Sequence, residues 1–271
     1  MQNPLRPNHQ VFVEKFVQAC QADVRVVAAF LLGSYVNGSP DEHSDLDLCI
    51  LVADDAYDDF VTGRDAFILQ FGKPLFQEDF DIPGILFLIF SDGSEVEVNY
   101  ARESTLKHFF TERFDVLLDK KNITNDLVVS EPEINMNRQM ARLQRLTYGF
   151  WHDFSHFTTA LARSQLWWAQ GQLEFLRSIC VGLARLRNDF SDTEVEGEVY
   201  FKIEKAMPVD SLAPLRESIV PMEKESMQKA GLILAKFYKD LAEPLAREHG
   251  IEYPRQLEEL MIGHLMKLSK K

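Results

Sequence analysis

The chain has 271 residues, 46% hydrophobic and 26% charged, the usage of a globular protein with one large or two small domains rather than a disordered or fibrous chain. Its formal charge of −13 is uneven: residues 1–130 carry 22 acidic and 10 basic side chains, residues 131–271 carry 20 and 19. The acidic front part argues against general nucleic-acid binding and suits a cationic small molecule or a carboxylate-held metal, while apolar runs such as 26–32 and 85–90 are far shorter than the roughly 20 residues of a membrane span.

In chain order, Met1 to Gln10 lacks the basic-then-apolar order of a secretory signal, so a cytoplasmic protein is expected. Val11, Val13, Phe16, Val17 and Cys20 recur at helical spacings and predict a first helix ending near Asp23. The nearly continuous apolar run from Val24 to Leu31 predicts a strand covered on both faces, ending at Gly33. Gly38, Ser39 and Pro40 punctuate the chain, 46–52 reads as the next strand, and 54–71 as a helix. Ile85 to Phe90 and Glu95 to Tyr100 flank Asp92-Gly93, a strong hairpin signal, and 114–118 supplies a further strand.

Beyond about residue 131 glycine and proline thin out and helix formers dominate. Long helices are expected over 140–161, 164–186, 221–249 and 254–268, with a looser stretch at 191–198. The expected organisation is an α/β domain over 1–130, built on a short mixed twisted sheet with helices, followed by an all-α domain over 131–271. The three widely spaced cysteines, Cys20, Cys49 and Cys180, predict reduced, buried thiols rather than a disulfide framework or zinc site.

The segment richest in chemistry is Gly33-Ser34, ten residues, then Asp45-Leu46-Asp47-Leu48. A strand feeding a glycine-led turn leaves backbone amides and the Ser34 hydroxyl for phosphate oxygens. On the next strand Asp45 and Asp47 share a face with about 6.6 Å between their Cα atoms, and two carboxylates so placed suit magnesium and triphosphate. Ser44 is a further hydrogen-bond donor. A third carboxylate is expected from the return strand of the hairpin, where Glu97, flanked by Val96 and Val98, is preferred to Glu95 near the turn.

Gly33-Ser34-x10-Asp45-Leu46-Asp47 with an acidic hairpin strand resembles the signature of the DNA polymerase beta nucleotidyltransferase superfamily. Within it the chain resembles the antibiotic nucleotidyltransferases: Glu95 to Tyr100 is similar to the third-carboxylate strand of the kanamycin enzymes, and Gly33 to Val52 to the corresponding stretch of the lincosamide and aminoglycoside enzymes. The resemblance implies antibiotic resistance by magnesium-dependent transfer of AMP, or another nucleoside monophosphate, from ATP or another NTP to a hydroxyl of a small acceptor, with release of pyrophosphate. It implies Asp45, Asp47 and Glu97 as catalytic and Mg2+-binding residues, Gly33, Ser34, Asn37 and Ser44 as nucleotide-binding, an acceptor-binding helical domain, and a possible homodimer. In some relatives a helical-domain carboxylate is the base, for which Asp153 and Glu174 are the candidates here. Many members carry Lys or Arg three residues after Gly-Ser, where this chain has Asn37, so the triphosphate cation is sought at Arg138, Arg142 or Arg145.

Competing readings are AMP transfer to a protein or RNA, and a non-catalytic nucleotide sensor. His152 and His156, at i and i+4, have zinc spacing without an evident third ligand. His43 reads as solvated, and Trp151, Trp167, Trp168, Phe150, Phe154, Phe157 and Phe175 as packing aromatics or a stacking wall. The acidic runs at 54–55, 58–59 and 78–81 read as solvated faces that would attract a polycation if they rim the cleft.

Overall fold

The computed structural model describes residues 5–82, 84–106, 113–126, 135–192 and 198–268. The chain divides into two compact units, Met1–Glu133 and Ile134–Lys271. The fold is α/β.

In the first unit, helix α1 (Pro7–Ala22) begins on a proline, whose fixed φ suits the first helical position and whose missing N–H has no partner to lose there. Its buried stripe is His9, Phe12, Val13, Phe16, Ala19 and Cys20. Strand β1 (Val26–Leu31) is buried at every position. It is followed by α2 (Gly33–Asn37), β2 (Leu46–Val52), α3 (Tyr57–Thr62), α4 (Arg64–Ile68), β3 (Phe76–Glu78), β4 (Ile85–Ile89), β5 (Glu95–Arg102) and β6 (Asp115–Asp119). The sheet has the order β3-β4-β5-β2-β1-β6, antiparallel throughout except for the parallel pair β2 and β5.

Alternation along the strands divides the apolar side chains between two cores. Leu46, Leu48, Ile50 and Val52 join Val96, Val98 and Tyr100 with Phe12 and Phe16 of α1. Cys49, Leu51 and Ala101 join Val27, Phe30 and Leu106 on the other face. Asp47 and Glu97, odd-numbered like Cys49 and Ala101, belong by the same alternation to the second face, away from α1.

Two elements differ from the sequence reading. The single helix expected over 54–71 is a 3-10 turn, Asp54–Ala56, followed by α3 and α4. The two short helices are broken at Gly63, whose ψ of 8° leaves the helical range and whose helix propensity is low. The glycine-led turn after β1 closes into the short helix α2, ended by Gly38 at φ 78°.

The second unit is helical among the described residues: α5 (Met136–Ala162), α6 (Leu166–Asn188), α7 (Ile203–Ala206), α8 (Ala213–Glu217), α9 (Lys224–Glu248) and α10 (Arg255–Lys267). Asn135 caps α5 by accepting from the Arg138 N–H at 3.0 Å. The core gathers Phe150, Trp151, Phe154 and Phe157 of α5 with Tyr238 of α9, and the Phe150 and Tyr238 rings stack at 4.0 Å. Much of the loose stretch expected at 191–198 lies outside the described residues. No described helix is long and apolar enough to cross a membrane.

Candidate active site

Strand β1 delivers the chain to Leu32, whose N–H donates to the Asp47 carbonyl at 2.9 Å. Gly33 then takes φ 67°, and a Cβ added there would overlap the Asp47 carboxylate. Glycine is therefore required twice, for its left-handed backbone and for the closeness of that carboxylate. The Ser34 hydroxyl is buried without a hydrogen-bond partner. A buried polar atom in that state is a group for a ligand to satisfy. Asn37 is exposed at the end of α2.

Asp45 lies one residue before β2 and is half-buried, as is Asp47. In the parallel register Asp47 is the direct partner of Glu97, which sets the two carboxylates side by side across strands about 4.8 Å apart. Glu97 is half-buried and accepts from Asn99 Nδ2 at 2.9 Å, whereas Glu95 is exposed. Ser44 is differently occupied: its Oγ accepts from the Asp41 N–H at 2.9 Å and lies 3.3 Å from Asp41 Oδ1, folding residues 41–44 into a turn.

The structure thus brings Gly33, Ser34, Asp47 and Glu97 to one end of the sheet, with Asp45 beside them. Among the described residues no three His, Cys, Asp or Glu side chains close around a point as a complete metal cage. Magnesium takes one or two carboxylates and completes its shell with water and phosphate oxygens, so an open, oxygen-only face of this kind fits it.

Sequence reasoning missed the residues behind this face. Arg6, half-buried at the start of α1, donates to the carbonyls of Glu42 at 2.7 Å and Ser44 at 2.6 Å and meets His9 Nε2 at 2.6 Å. His9 is fully buried, its Nδ1 2.9 Å from the Tyr35 hydroxyl of α2. Burial, aided by the Arg6 charge, holds the His9 pKa below its ordinary value, against the smaller opposing pull of Asp92 and Asp45. The signal was present: His9 stands three and four residues before Phe12 and Val13, on the apolar stripe of α1.

The remaining candidates have other surroundings. Glu174 pairs with Arg177, and Asp153 accepts from His152 Nδ1 at 2.9 Å if that nitrogen carries the proton. The His152 and His156 Nε2 atoms lie 3.3 Å apart, and no third ligand joins them among the described residues. Arg142 Nη1 donates to the Asp192 carbonyl at 2.7 Å. His43 is exposed beside Glu42. Phe150, Trp151, Phe154 and Phe157 are core, whereas Trp167 and Phe175 are exposed. Of the acidic runs, Asp58 pairs with Arg102 at 2.7 Å and Asp79 with Arg64.

A Gly-Ser turn packed on one carboxylate, with a second directly across a parallel strand pair, suits nucleotidyl transfer, and a family match over nearly the whole chain makes it a nucleotidyltransferase. Residues 7–268 match the streptomycin adenylyltransferase family, and the chain belongs to it. Among solved structures it is similar to an aminoglycoside 6-adenyltransferase from Bacillus subtilis, at 15% identity and a TM-score of 0.48 over 98% of this chain and 100% of that one. A STING-associated CdnE c-di-GMP synthase from Capnocytophaga granulosa is more distant, at 13% identity and a TM-score of 0.29 over 89% of this chain and 84% of that one. No curated protein gives a significant match.

Proposed function

We propose that the protein transfers AMP from ATP to a hydroxyl of an aminoglycoside antibiotic, with pyrophosphate leaving, at the sheet end that carries Gly33, Ser34, Asp45, Asp47 and Glu97. The observation that carries this reading is the direct register pairing of Asp47 with Glu97 beside a Gly-Ser turn whose serine hydroxyl has no partner. Membership of the streptomycin adenylyltransferase family supports the nucleotide and the acceptor class.

In this reading Asp45 and Asp47 hold magnesium, with Glu97 completing the set. A magnesium ion bound there would supply neutralisation of triphosphate charge and of the negative charge of the transition state. Ser34 donates its unused hydroxyl proton to a phosphate oxygen. Gly33 lets the nucleotide lie close to the strand end, since any side chain there would strike Asp47. Glu97, oriented by the Asn99 amide, accepts the proton of the acceptor hydroxyl as the new P–O bond forms. Glu174 is the weaker alternative base, because its carboxylate is already engaged by the Arg177 guanidinium. The helical unit, Ile134–Lys271, is the acceptor-binding domain in this scheme, and the enzyme acts in the cytoplasm, as a monomer or as a homodimer.

The test is pyrophosphate release from MgATP and the other nucleotides with streptomycin, kanamycin and lincomycin as acceptors, comparing wild type with Asp47→Asn. Release that requires an aminoglycoside and falls at least about 100-fold in the variant is expected, the scale of losing one electrostatic stabiliser. Release with lincomycin alone would move the acceptor to the lincosamides. Equal rates in both proteins would remove Asp47 from the mechanism.

A further inference from the structure

Arg6, at the N-cap of α1, and Asn8 and His9 in its first turn each end on a different segment of the site. Arg6 donates to the carbonyls of Glu42 and Ser44, the latter directly preceding Asp45. Asn8 Nδ2 donates to Ser94 Oγ at 2.8 Å, and Ser94, only 2% exposed, directly precedes the strand that carries Glu97. His9 reaches Tyr35, the residue after Ser34.

The proton inventory of this network has one solution. A guanidinium can only donate, so His9 Nε2, 2.6 Å from Arg6 Nη2, is the acceptor and carries no hydrogen. The ring proton therefore sits on Nδ1 and is donated to the Tyr35 oxygen. With His9 fully buried and Tyr35 4% exposed, each of these bonds would be costly to leave unmade. The network ties the start of α1, the 41–44 turn and α2 together.

We propose that Arg6 and His9 are positioning residues for nucleotidyl transfer: neutral His9 orients the Arg6 guanidinium, Arg6 fixes the loop that presents Asp45, and His9 through Tyr35 fixes the turn that presents Ser34. This rests on the reading of that sheet end as the triphosphate site. A shift of about 1 Å at reacting groups costs on the order of 100-fold, so loosening of the network is read in the rate.

Steady-state transfer is measured for Arg6→Ala, Arg6→Lys, His9→Ala, His9→Gln and the double alanine variant, alongside melting temperature. Arg6→Ala and His9→Ala are expected to lower kcat/KM by about 10- to 100-fold, with the double variant no worse than either single, because both break one unit. Arg6→Lys recovers part of the loss through one of the two carbonyls. His9→Gln keeps an acceptor and a donor, and shifts the acid limb of the pH profile downward, since it cannot be protonated. The groups facing His9 are Arg6 and Tyr35 in contact and Asp45 and Asp92 through their charge. Lower melting temperature with unchanged kcat, KM and pH profile in the folded variants would overturn the proposal. If wild type transfers to no acceptor, the proposed function falls by itself, and MgATP affinity by calorimetry then decides this inference: about tenfold weakening in Arg6→Ala supports it, unchanged affinity overturns it. Absence of MgATP binding in wild type overturns both.

Discussion

At the scale of single residues, the site is governed by atoms that have no room to spare. Gly33→Ala would force a left-handed backbone on a side chain, costing roughly 1–2 kcal/mol, and would push the Asp47 carboxylate aside. We expect kcat/KM to fall by about 100-fold with a melting temperature lowered by only a few degrees, measured by transfer assay and calorimetry. His9 contributes a pH dependence of its own. Its folded pKa is lowered, so below about pH 6.5 the unfolded chain takes up a proton that the native protein resists. Stability is then fully present above the unfolded pKa, is lost as pH falls through it, and levels off below the folded value. His9→Gln should flatten this part of the stability profile, read by urea titration at several pH values. The thiols behave oppositely: burial pushes Cys20 up to about 12 and raises Cys49 and Cys180 further. In the native protein all three should be inert to a thiol-specific reagent at pH 8 and become reactive only on unfolding.

At the scale of elements, the parallel pair β2 and β5 sets the geometry of the candidate site, because its register places residue 47 against residue 97 rather than against 96 or 98. A slip by one position would turn the carboxylates into the core that holds Leu48 and Val98 and the valines out of it, so the apolar face of these strands enforces the geometry of the acidic one. In the helical unit α9 approaches α5 closely at Gly231, where an added Cβ would overlap the Phe157 ring. Gly231→Ala should destabilise the protein by about 1–3 kcal/mol, the usual cost of overpacking, measured by denaturant unfolding. The carboxylates belong to the other unit, so MgATP affinity of the folded variant should be unchanged.

At the scale of the whole molecule, two units with separate cores divide the charge as well as the fold: residues 1–133 sum to −14 and residues 134–271 to +1. A polycationic acceptor is drawn to such a surface over about 10 Å at moderate salt. The KM for an aminoglycoside should therefore rise as salt is increased, while that of a singly charged lincosamide changes little, which acceptor titrations at low and high ionic strength would show. The sequence alone determined the α/β then helical order and the hairpin at Asp92-Gly93, because these rest on local periodicity and turn chemistry, and motif spacing singled out Asp45, Asp47 and Glu97 as candidates. It misread 54–71, where helical periodicity ran past the break at Gly63. It gave no sign that Ser44 is spent on its own turn with Asp41, and although the place of His9 on the apolar stripe of α1 marks it as buried, it did not show that Arg6 and His9 stand behind the site. Those features depend on partners 26 to 38 residues distant, or on a serine's choice between two roles. Local pattern carries no record of such meetings, and only the packing of α1 against the sheet decided them.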